Sequence, residues 1–242
     1  MTKTIEKYVF PVCCGTKDGE SDGCGVLVGD LFVTAGHVIE HAVVAHVYID
    51  HVDYELRKED AVYYSFDDKE SLDTNASDIA VFMLEGVEPS PLTLAEDLPS
   101  IGDDLISVSY LHYAKKNANA TSIFDANIEV YEKLVCNAKV TEISENFFAS
   151  EMEVQLKPGS SGSPVLAGNK VIGILHGGKD SQCVFQSTES LVRLMKKVIT
   201  DNSEKQESKV AMMSRRIEEI CKKHGWECKE RKPDPQVFTA LF

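Results

Sequence analysis

The most restrictive feature of this sequence is a succession of short runs rich in β-branched and aromatic residues, separated by turn-forming residues. Such runs are typical of β-strands, and Gly29-Asp30 between two of them predicts a two-residue hairpin turn. In the first half, strands are predicted at Tyr8–Cys14, Cys24–Val28, Leu31–Val33, Val43–Ile49, Tyr54–Tyr64 and Ile79–Leu84. In the second half, they are predicted at Leu105–Leu111, Ser122–Tyr131, Leu134–Ile143, Phe147–Leu156, Pro164–Ala167, Val171–His176 and Cys183–Gln186. Many short strands joined by turns indicate an all-β architecture, closed or sandwiched.

Two changes in composition divide the chain. Residues 88–100 contain three prolines and few apolar side chains, so they predict a connection between two halves. Helical spacing begins near residue 188, with one apolar stripe up to 199, a polar linker at 201–208 and a second stripe up to 221. We therefore expect an N-terminal β-unit at 1–90, a second β-unit with a closing helix at 91–200, and a helical appendage at 201–242.

A serine cluster lies on a tight turn between two of the predicted strands. The segment Lys157-Pro158-Gly159-Ser160-Ser161-Gly162-Ser163-Pro164 contains two glycines and three serines. Such a turn can present a serine hydroxyl, and its successive backbone N–H groups can converge on one oxygen atom, as acyl-transfer chemistry requires. An ordinary Gly/Ser/Pro loop is the alternative interpretation.

A nucleophilic serine needs a base, and the base needs a group that orients it. Upstream, Thr34-Ala35-Gly36-His37 ends one apolar run, and Ser77-Asp78-Ile79-Ala80-Val81 begins another. Each motif alone is weak, because a histidine after a strand is usually a surface residue and an aspartate before one is usually a turn residue. Three motifs in the order His, Asp, Ser, each at a strand end, together predict a catalytic set.

These three motifs resemble those of the chymotrypsin-like (trypsin-like) serine proteases, and they are nearest to bacterial trypsin-like peptidases and glutamyl endopeptidases. The resemblance covers roughly residues 8–200. It implies two six-stranded antiparallel β-barrels with C-terminal helices, His37 and Asp78 on the first barrel and Ser161 on the second. It further implies that Ser161 is the nucleophile of a serine endopeptidase, that the N–H groups of Gly159 and Ser161 form the oxyanion hole, and that no cofactor or metal is needed.

Substrate preference is expected to depend on three further residues. The position six residues before the nucleophile, acidic in trypsin, is Gln155, so the main support for binding Arg or Lys is absent. The segment that ends in His176-Gly177-Gly178 is similar to a pocket wall of acid- and glutamine-selective relatives, in which a histidine contacts the substrate. Here the histidine lies one place later, and strict alternation along a strand turns it to the other face. Contact of His176 with substrate and a structural role beside the catalytic set both remain open.

Charge and cysteine content restrict partners and compartment. The net charge of −14 argues against nucleic acid as a partner. No apolar run approaches the roughly 20 residues of a membrane helix, so we expect no membrane partner. The N-terminus has no signal-peptide core, and the seven cysteines are odd in number, which predicts reduced thiols in the cytoplasm. The expected partner is a protein or peptide substrate.

The appendage differs from the rest of the chain in charge. Residues 193–232 contain 12 Lys and Arg against 7 Asp and Glu, whereas residues 1–192 contain 13 against 31. We therefore expect residues 201–242 to pack on the acidic body or to dock a regulatory partner, and the apolar end Val237–Phe242 to lie in or near the substrate cleft. A stabilising helix with a loose end is the simpler alternative.

Two other functions remain as alternatives. His37-Val38-Ile39-Glu40-His41 matches the H-x-x-E-H pattern of a zinc peptidase, in which His37 and His41 share a metal and Glu40 is the base. The other alternative is a protease-like fold that only binds and has no catalytic activity. Dependence on zinc would separate the first of these from a serine peptidase.

Overall fold

The computed structural model describes residues 5–17, 19–40, 42–66, 77–116, 127–155, 157 and 159–193 of the 242-residue chain. Residues 1–191 form one compact unit, and 192–242 form a second. The expected all-β architecture is confirmed, because the first unit contains two large β-sheets. Within the described part of the chain, no helix is both long enough and apolar enough to cross a membrane. The appendage at 201–242 lies outside the described residues.

The first sheet contains the two motifs of the N-terminal half. Its strands are β1 (Val9–Thr16), β2 (Gly19–Val28), β3 (Leu31–Thr34), β4 (Val44–Ile49), β5 (Val52–Glu55), β6 (Tyr63–Phe66) and β7 (Asp78–Met83). A short helix, α1 (Gly36–Glu40), follows β3, and 3-10 turns cover Glu6–Tyr8 and Lys58–Asp60. The strands are antiparallel and follow the order β5-β4-β1-β2-β3-β7-β6. The sheet curls, and among the described pairings β5 and β6 are its edge strands.

The second sheet closes into a barrel. Its strands are β8 (Thr93–Leu94), β9 (Asp104–Lys116), β10 (Asn127–Ile143), β11 (Phe147–Met152), β12 (Pro164–Ala167), β13 (Lys170–Lys179) and β14 (Gln182–Ser187). The order is β12-β9-β10-β11-β14-β13-β8, and an additional pairing of β12 with β13 joins six of these strands in a ring. The short β8 pairs with β13 in parallel, outside the ring. A helical segment then covers residues 188–193.

Hydrophobic side chains are buried against both sheets, and glycines leave space for the largest of them. Phe32 is fully buried against Gly25, where an added Cβ would lie 2.3 Å from the ring. In the barrel, the rings of Phe148 and Phe185 stack with centroids 5.4 Å apart. Gly173 leaves room for this stack, because its Cβ would lie 2.7 Å from Phe148. These contacts fix the strands whose ends carry the candidate site.

Apart from shifted strand ends and the short β8, the structure differs from the strand predictions in how it divides two long segments. The predicted strand Tyr54–Tyr64 is interrupted by the 3-10 turn at Lys58–Asp60, because the charged run 57–60 offers no apolar face to the core. In contrast, β10 is continuous across Glu132-Lys133, where the sequence analysis separated two strands. All residues of β10 from Asn127 to Lys139 pair with β9 in one unbroken register, since neither Glu132 nor Lys133 is a turn-forming residue. Residues 122–126 lie outside the described part.

Candidate active site

His37 and Asp78 meet because β3 pairs with β7. Thr34 at the end of β3 pairs with Ala80, so α1 starts beside the first residue of β7. Gly36 permits this approach: a Cβ there would lie 2.5 Å from the carbonyl oxygen of Ser65 and 3.2 Å from Asp78 Oδ1. The site therefore requires glycine at this position of the T-A-G-H motif, because a larger residue would clash with the backbone.

The Asp78 carboxylate binds His37 at two points. The backbone N–H of His37 donates to Oδ1 at 2.7 Å, and His37 Nδ1 lies 2.7 Å from Oδ2. An ionised carboxylate only accepts hydrogen bonds, so Nδ1 bears the proton and Nε2 has a free lone pair. The Asp78 side chain is almost fully buried, whereas that of His37 is a quarter exposed. This is the geometry that a general base and its orienting residue require.

His176 contacts the same carboxylate oxygen as His37 does. Its Nδ1 contacts Asp78 Oδ2, and its ring stands at 90° to that of His37 with centroids 5.9 Å apart. A β-bulge explains this position. On β13, Leu175 pairs with Phe185 and Gly177 pairs with Val184, so His176 is the extra residue and is turned toward Asp78. The structural role that the sequence analysis left open for His176 matches this location.

Two opposing effects set the protonation state of Asp78. Burial acts to raise its pKa, but the hydrogen bonds from His176 and His37 favour the charged form and lower the pKa to about 2. The carboxylate is therefore ionised at neutral pH and stabilises positive charge on either imidazole.

Gln186 is a further residue of the site that the sequence analysis did not single out. It is fully buried on β14, and its Oε1 accepts the backbone N–H of Asp78 at 3.0 Å. Its Nε2 donates to the carbonyl of Asn146 at 3.0 Å and to Ser190 Oγ. A glutamine within an apolar strand gives no signal of such a partner, because the partner belongs to the other sheet.

The turn that contains Ser161 packs directly against the T-A-G-H motif. Gly162 has φ of 87°, and a Cβ there would lie 2.0 Å from the carbonyl oxygen of Cys24 and 2.5 Å from Thr34 Oγ1. The Cys24 N–H donates to the carbonyl of Ser161 at 2.7 Å, and the Gly162 N–H donates to that of Leu175 at 2.8 Å. The Ser161 turn therefore packs against Thr34 and Ala35, the residues that precede His37 in the motif, although the two segments belong to different sheets.

The Ser161 hydroxyl and the N–H groups of Gly159 and Ser161 are available to a substrate. Ser161 is half-buried. Among the hydrogen bonds of the described residues, none joins Ser161 Oγ to His37, and none uses the N–H of Gly159 or Ser161. Contacts between a nucleophile and its base are often loose until a substrate binds.

A cavity of about 400 Å³ opens beside Ser161. It is lined by Gln155, Lys157, Ser160, Ser161, Leu175, Gly177, Gly178, Lys179, Asp180 and Cys183. Gln155 and Gly178 are thus at the expected pocket, whereas His176 contacts Asp78. The Ser160 hydroxyl is buried beside this cavity and has no hydrogen-bond partner among the described residues. Burial raises the pKa of the Cys183 thiol to about 11, so the thiol is protonated.

The zinc-peptidase pattern falls on a helix of only five residues, α1. His41 lies outside the described residues. Within α1, the Nδ1 atom of His37 is directed at Asp78, and Glu40 accepts hydrogen bonds from Tyr64 and Lys58. The two described residues of the pattern are therefore engaged with partners outside it.

The fold and the arrangement of these motifs define a chymotrypsin-like two-barrel protein. The sequence profile described as "Trypsin-like peptidase domain" matches residues 22–174, which is more than half of the chain, so the chain belongs to the trypsin-like peptidase family. Among curated proteins, no sequence matches significantly.

Solved structures of similar fold come from several organisms. A protease from M. tuberculosis in its active form is 15% identical, with a TM-score of 0.55 over 77% of this chain and 78% of that one. A serine endoprotease from Yersinia pestis is 18% identical, with a TM-score of 0.57 over 83% and 66%. An inactivated protease paralogue from the scabies mite is 15% identical, with a TM-score of 0.52 over 82% and 96%. At these identities the likeness establishes the fold alone, and the fold occurs with and without activity.

Proposed function

We propose that the protein is a serine endopeptidase in which Ser161 is the nucleophile, His37 the general acid and base, and Asp78 the orienting residue. The observation that carries this proposal is the double contact of Asp78 with His37, at the backbone N–H and at Nδ1. A buried, ionised carboxylate that fixes the Nδ1–H tautomer has an evident use in base catalysis. A fold used only for binding has no requirement for this arrangement.

The proposed reaction has two steps. His37 Nε2 accepts the proton of Ser161 Oγ while this oxygen attacks the scissile carbonyl carbon, and the imidazolium then donates the proton to the leaving amine. Water then attacks the acyl carbon while His37 accepts one of its protons, and His37 returns this proton to Ser161 Oγ as the bond between Oγ and the acyl carbon breaks. Throughout, Asp78 stabilises the imidazolium without taking its proton. The N–H groups of Gly159 and Ser161 are assigned to the developing oxyanion.

The polar cavity beside Ser161 is assigned to the substrate side chain that precedes the cleaved bond. Lys157 and Lys179 at this cavity place two positive charges against the single negative charge of Asp180. We therefore expect that cleavage after Arg or Lys does not dominate. A peptide library digested with the purified chain measures this directly, and a strong preference for Arg or Lys would contradict the assignment.

Replacement of the nucleophile tests the proposed function. Ser161→Ala is expected to abolish covalent labelling by a fluorophosphonate and to lower turnover by about three orders of magnitude or more, with the fold retained. Ser160→Ala is the matched control, because Ser160 is the adjacent serine but its hydroxyl is buried. We expect this variant to become labelled as wild type does. If Ser161→Ala is labelled as well as wild type, Ser161 is the wrong serine.

A chelator separates the serine mechanism from the zinc-peptidase alternative. EDTA is expected to leave the turnover of wild type intact under the serine mechanism. Loss of activity in EDTA that added zinc restores would instead favour the pattern that begins at His37.

A further inference from the structure

The carboxylate of Asp78 is shared by two imidazoles, and the three groups form the donor set of a metal site. His37, Asp78 and His176 can each offer one ligand atom such that the three atoms lie within 4.8 Å of one another, and Nδ1 of both imidazoles contacts Asp78 Oδ2. Two imidazole nitrogens and one carboxylate oxygen suit Zn²⁺, which commonly takes three protein ligands and one water. We propose that His37, Asp78 and His176 bind Zn²⁺ and that bound zinc inhibits the peptidase. The inhibition rests on the proposed function, whereas the binding does not.

Neighbouring groups hold the carboxylate in the orientation that a metal needs. The backbone N–H of His37 occupies Oδ1, and Gln186 accepts the backbone N–H of Asp78. Oδ2 is thereby directed at the two imidazoles. Partners of this kind, one shell beyond the ligands, set ligand orientation and metal affinity.

The imidazoles have room to adjust to zinc. Ligand atoms of tetrahedral Zn²⁺, at about 2.0–2.1 Å from the metal, lie about 3.3 Å from one another. His37 Nδ1 is 2.7 Å from Asp78 Oδ2, and His176 Nδ1 contacts the same oxygen, so zinc requires each imidazole to recede. The side chains of His37 and His176 are 25% and 35% exposed, so both can move outward and water can reach the fourth position.

Charge and ligand type both favour zinc over magnesium or calcium. The carboxylate of Asp78 supplies one negative charge as a ligand, which offsets half of the charge of the ion. Mg²⁺ and Ca²⁺ prefer oxygen ligands, whereas two of the three donors here are nitrogen. The body that surrounds the cluster carries many more acidic than basic residues, which also favours a cation.

Zinc at this position would remove the catalytic base. A neutral imidazole that binds a metal through Nδ1 bears its proton on Nε2. In His37, Nε2 would then be a donor and could not accept the proton of Ser161. The cavity that contains Gln155 and Gly178 does not include any of the three ligands. Zinc is therefore expected to lower kcat with little change in KM.

Binding is tested first in the full chain that bears Ser161→Ala, so that the result does not depend on activity. Zinc chloride is titrated while the imidazole nitrogens are followed by ¹⁵N NMR. We expect two of the seven histidines, His37 and His176, to change from the Nδ1–H to the Nε2–H tautomer. Adding His176→Asn, which can still donate to Asp78, is expected to weaken zinc binding about tenfold or more. Adding His176→Ala is expected to do the same, so that the test does not rest on one variant.

A second histidine–aspartate pair provides the matched control. His46 Nδ1 lies 2.9 Å from Asp53 Oδ1 on the surface, and among the described residues this pair belongs to no three-ligand cluster. His46→Ala is expected to leave zinc affinity unchanged. If zinc shifts only other histidines, such as His224, which lies between Cys221 and Cys228 in the sequence, the proposal is wrong. It is also wrong if zinc binds the His176 variants as tightly.

Kinetics test the inhibition separately. Added zinc is expected to lower the kcat of the wild-type chain, and EDTA is expected to restore it. A rise in KM alone, or activation by zinc, would overturn the inhibitory role. If the chain has no peptidase activity but both imidazoles bind zinc, the metal site is supported and the proposed function fails.

Discussion

At the scale of single residues, the site depends on glycines as much as on the groups that do chemistry. Gly36 lets α1 approach Asp78, and Gly162 lets the Ser161 turn approach Thr34. In both places the nearest obstacle to a Cβ is a backbone carbonyl oxygen, which cannot turn aside as a flexible side chain can. The three motifs are therefore held together by close backbone packing, with the polar side chains placed on top of it.

Two glycines with similar backbone angles separate crowding from conformational strain. Gly162 has φ of 87° and Gly168 has φ of 61°, but a Cβ at Gly168 meets nothing within 4 Å. Gly168→Ala is expected to cost about 1 kcal/mol of stability and to retain fluorophosphonate labelling. Gly162→Ala adds a clash, so we expect a loss of about 2–4 kcal/mol and little or no labelling. Equal losses in denaturant unfolding of the two variants would contradict this account.

At the scale of elements, β14 ties the second sheet to the first through Gln186. Its side chain satisfies the buried N–H of Asp78 and the buried carbonyl of Asn146. Leucine in its place would fill a similar volume but leave the Asp78 N–H without a partner, whereas the Asn146 carbonyl would keep the hydrogen bond from the Ser187 N–H. Each unsatisfied buried group costs about 1–3 kcal/mol.

We therefore expect Gln186→Leu to lower the free energy of unfolding by about 1–3 kcal/mol and to reduce kcat, because Asp78 loses its support. Gln182→Leu is the control on the same strand, since Gln182 is exposed. Urea unfolding and steady-state kinetics measure both effects. The idea fails if the two glutamine variants behave alike.

Much of the architecture can be predicted from the sequence, but the sheet partners of most strands cannot. The hairpin at Gly29-Asp30 is confirmed, since Val28 pairs with Leu31 across it. His37 and Asp78 were predicted to meet, and they do. The open first sheet, with β5 and β6 at its edges, was not predicted, because alternation identifies the buried face of a strand but not its partner.

The direction of the His176 side chain could not be predicted for the same reason. Strict alternation along β13 assigns each side chain to a face, and a single extra residue changes that assignment. The register shift between Leu175 and Gly177 is such an insertion. No local pattern in the sequence marks it, because the bulge depends on pairing with β14. The contact between Gln186 and Asp78 was missed for a similar reason: it joins residues 108 positions apart.

At the scale of the whole molecule, removal of the appendage at 201–242 tests whether this segment inhibits the peptidase activity of its own chain. Its basic stretch and apolar end predict docking on the acidic body or on a partner. We expect truncation after Ser203 to accelerate the hydrolysis of a small peptide. Unchanged kinetics with a lower melting temperature would instead support plain packing. No change in either measurement would contradict docking on the body and leave an external partner as the remaining role.

The hydrogen bond from Cys24 to Ser161, together with the tie between Gln186 and Asp78, has a consequence for synthesis of the protein. During synthesis, His37 and Asp78 are made early, but Gln186, whose side chain supports Asp78, is made only with β14. Ser161, the proposed nucleophile, is positioned only when the first sheet is already folded, because its carbonyl oxygen accepts the N–H of Cys24. Under the proposed function, a partly made chain therefore has no working peptidase and cannot digest its neighbours, and cleavage activity begins only after both sheets have joined.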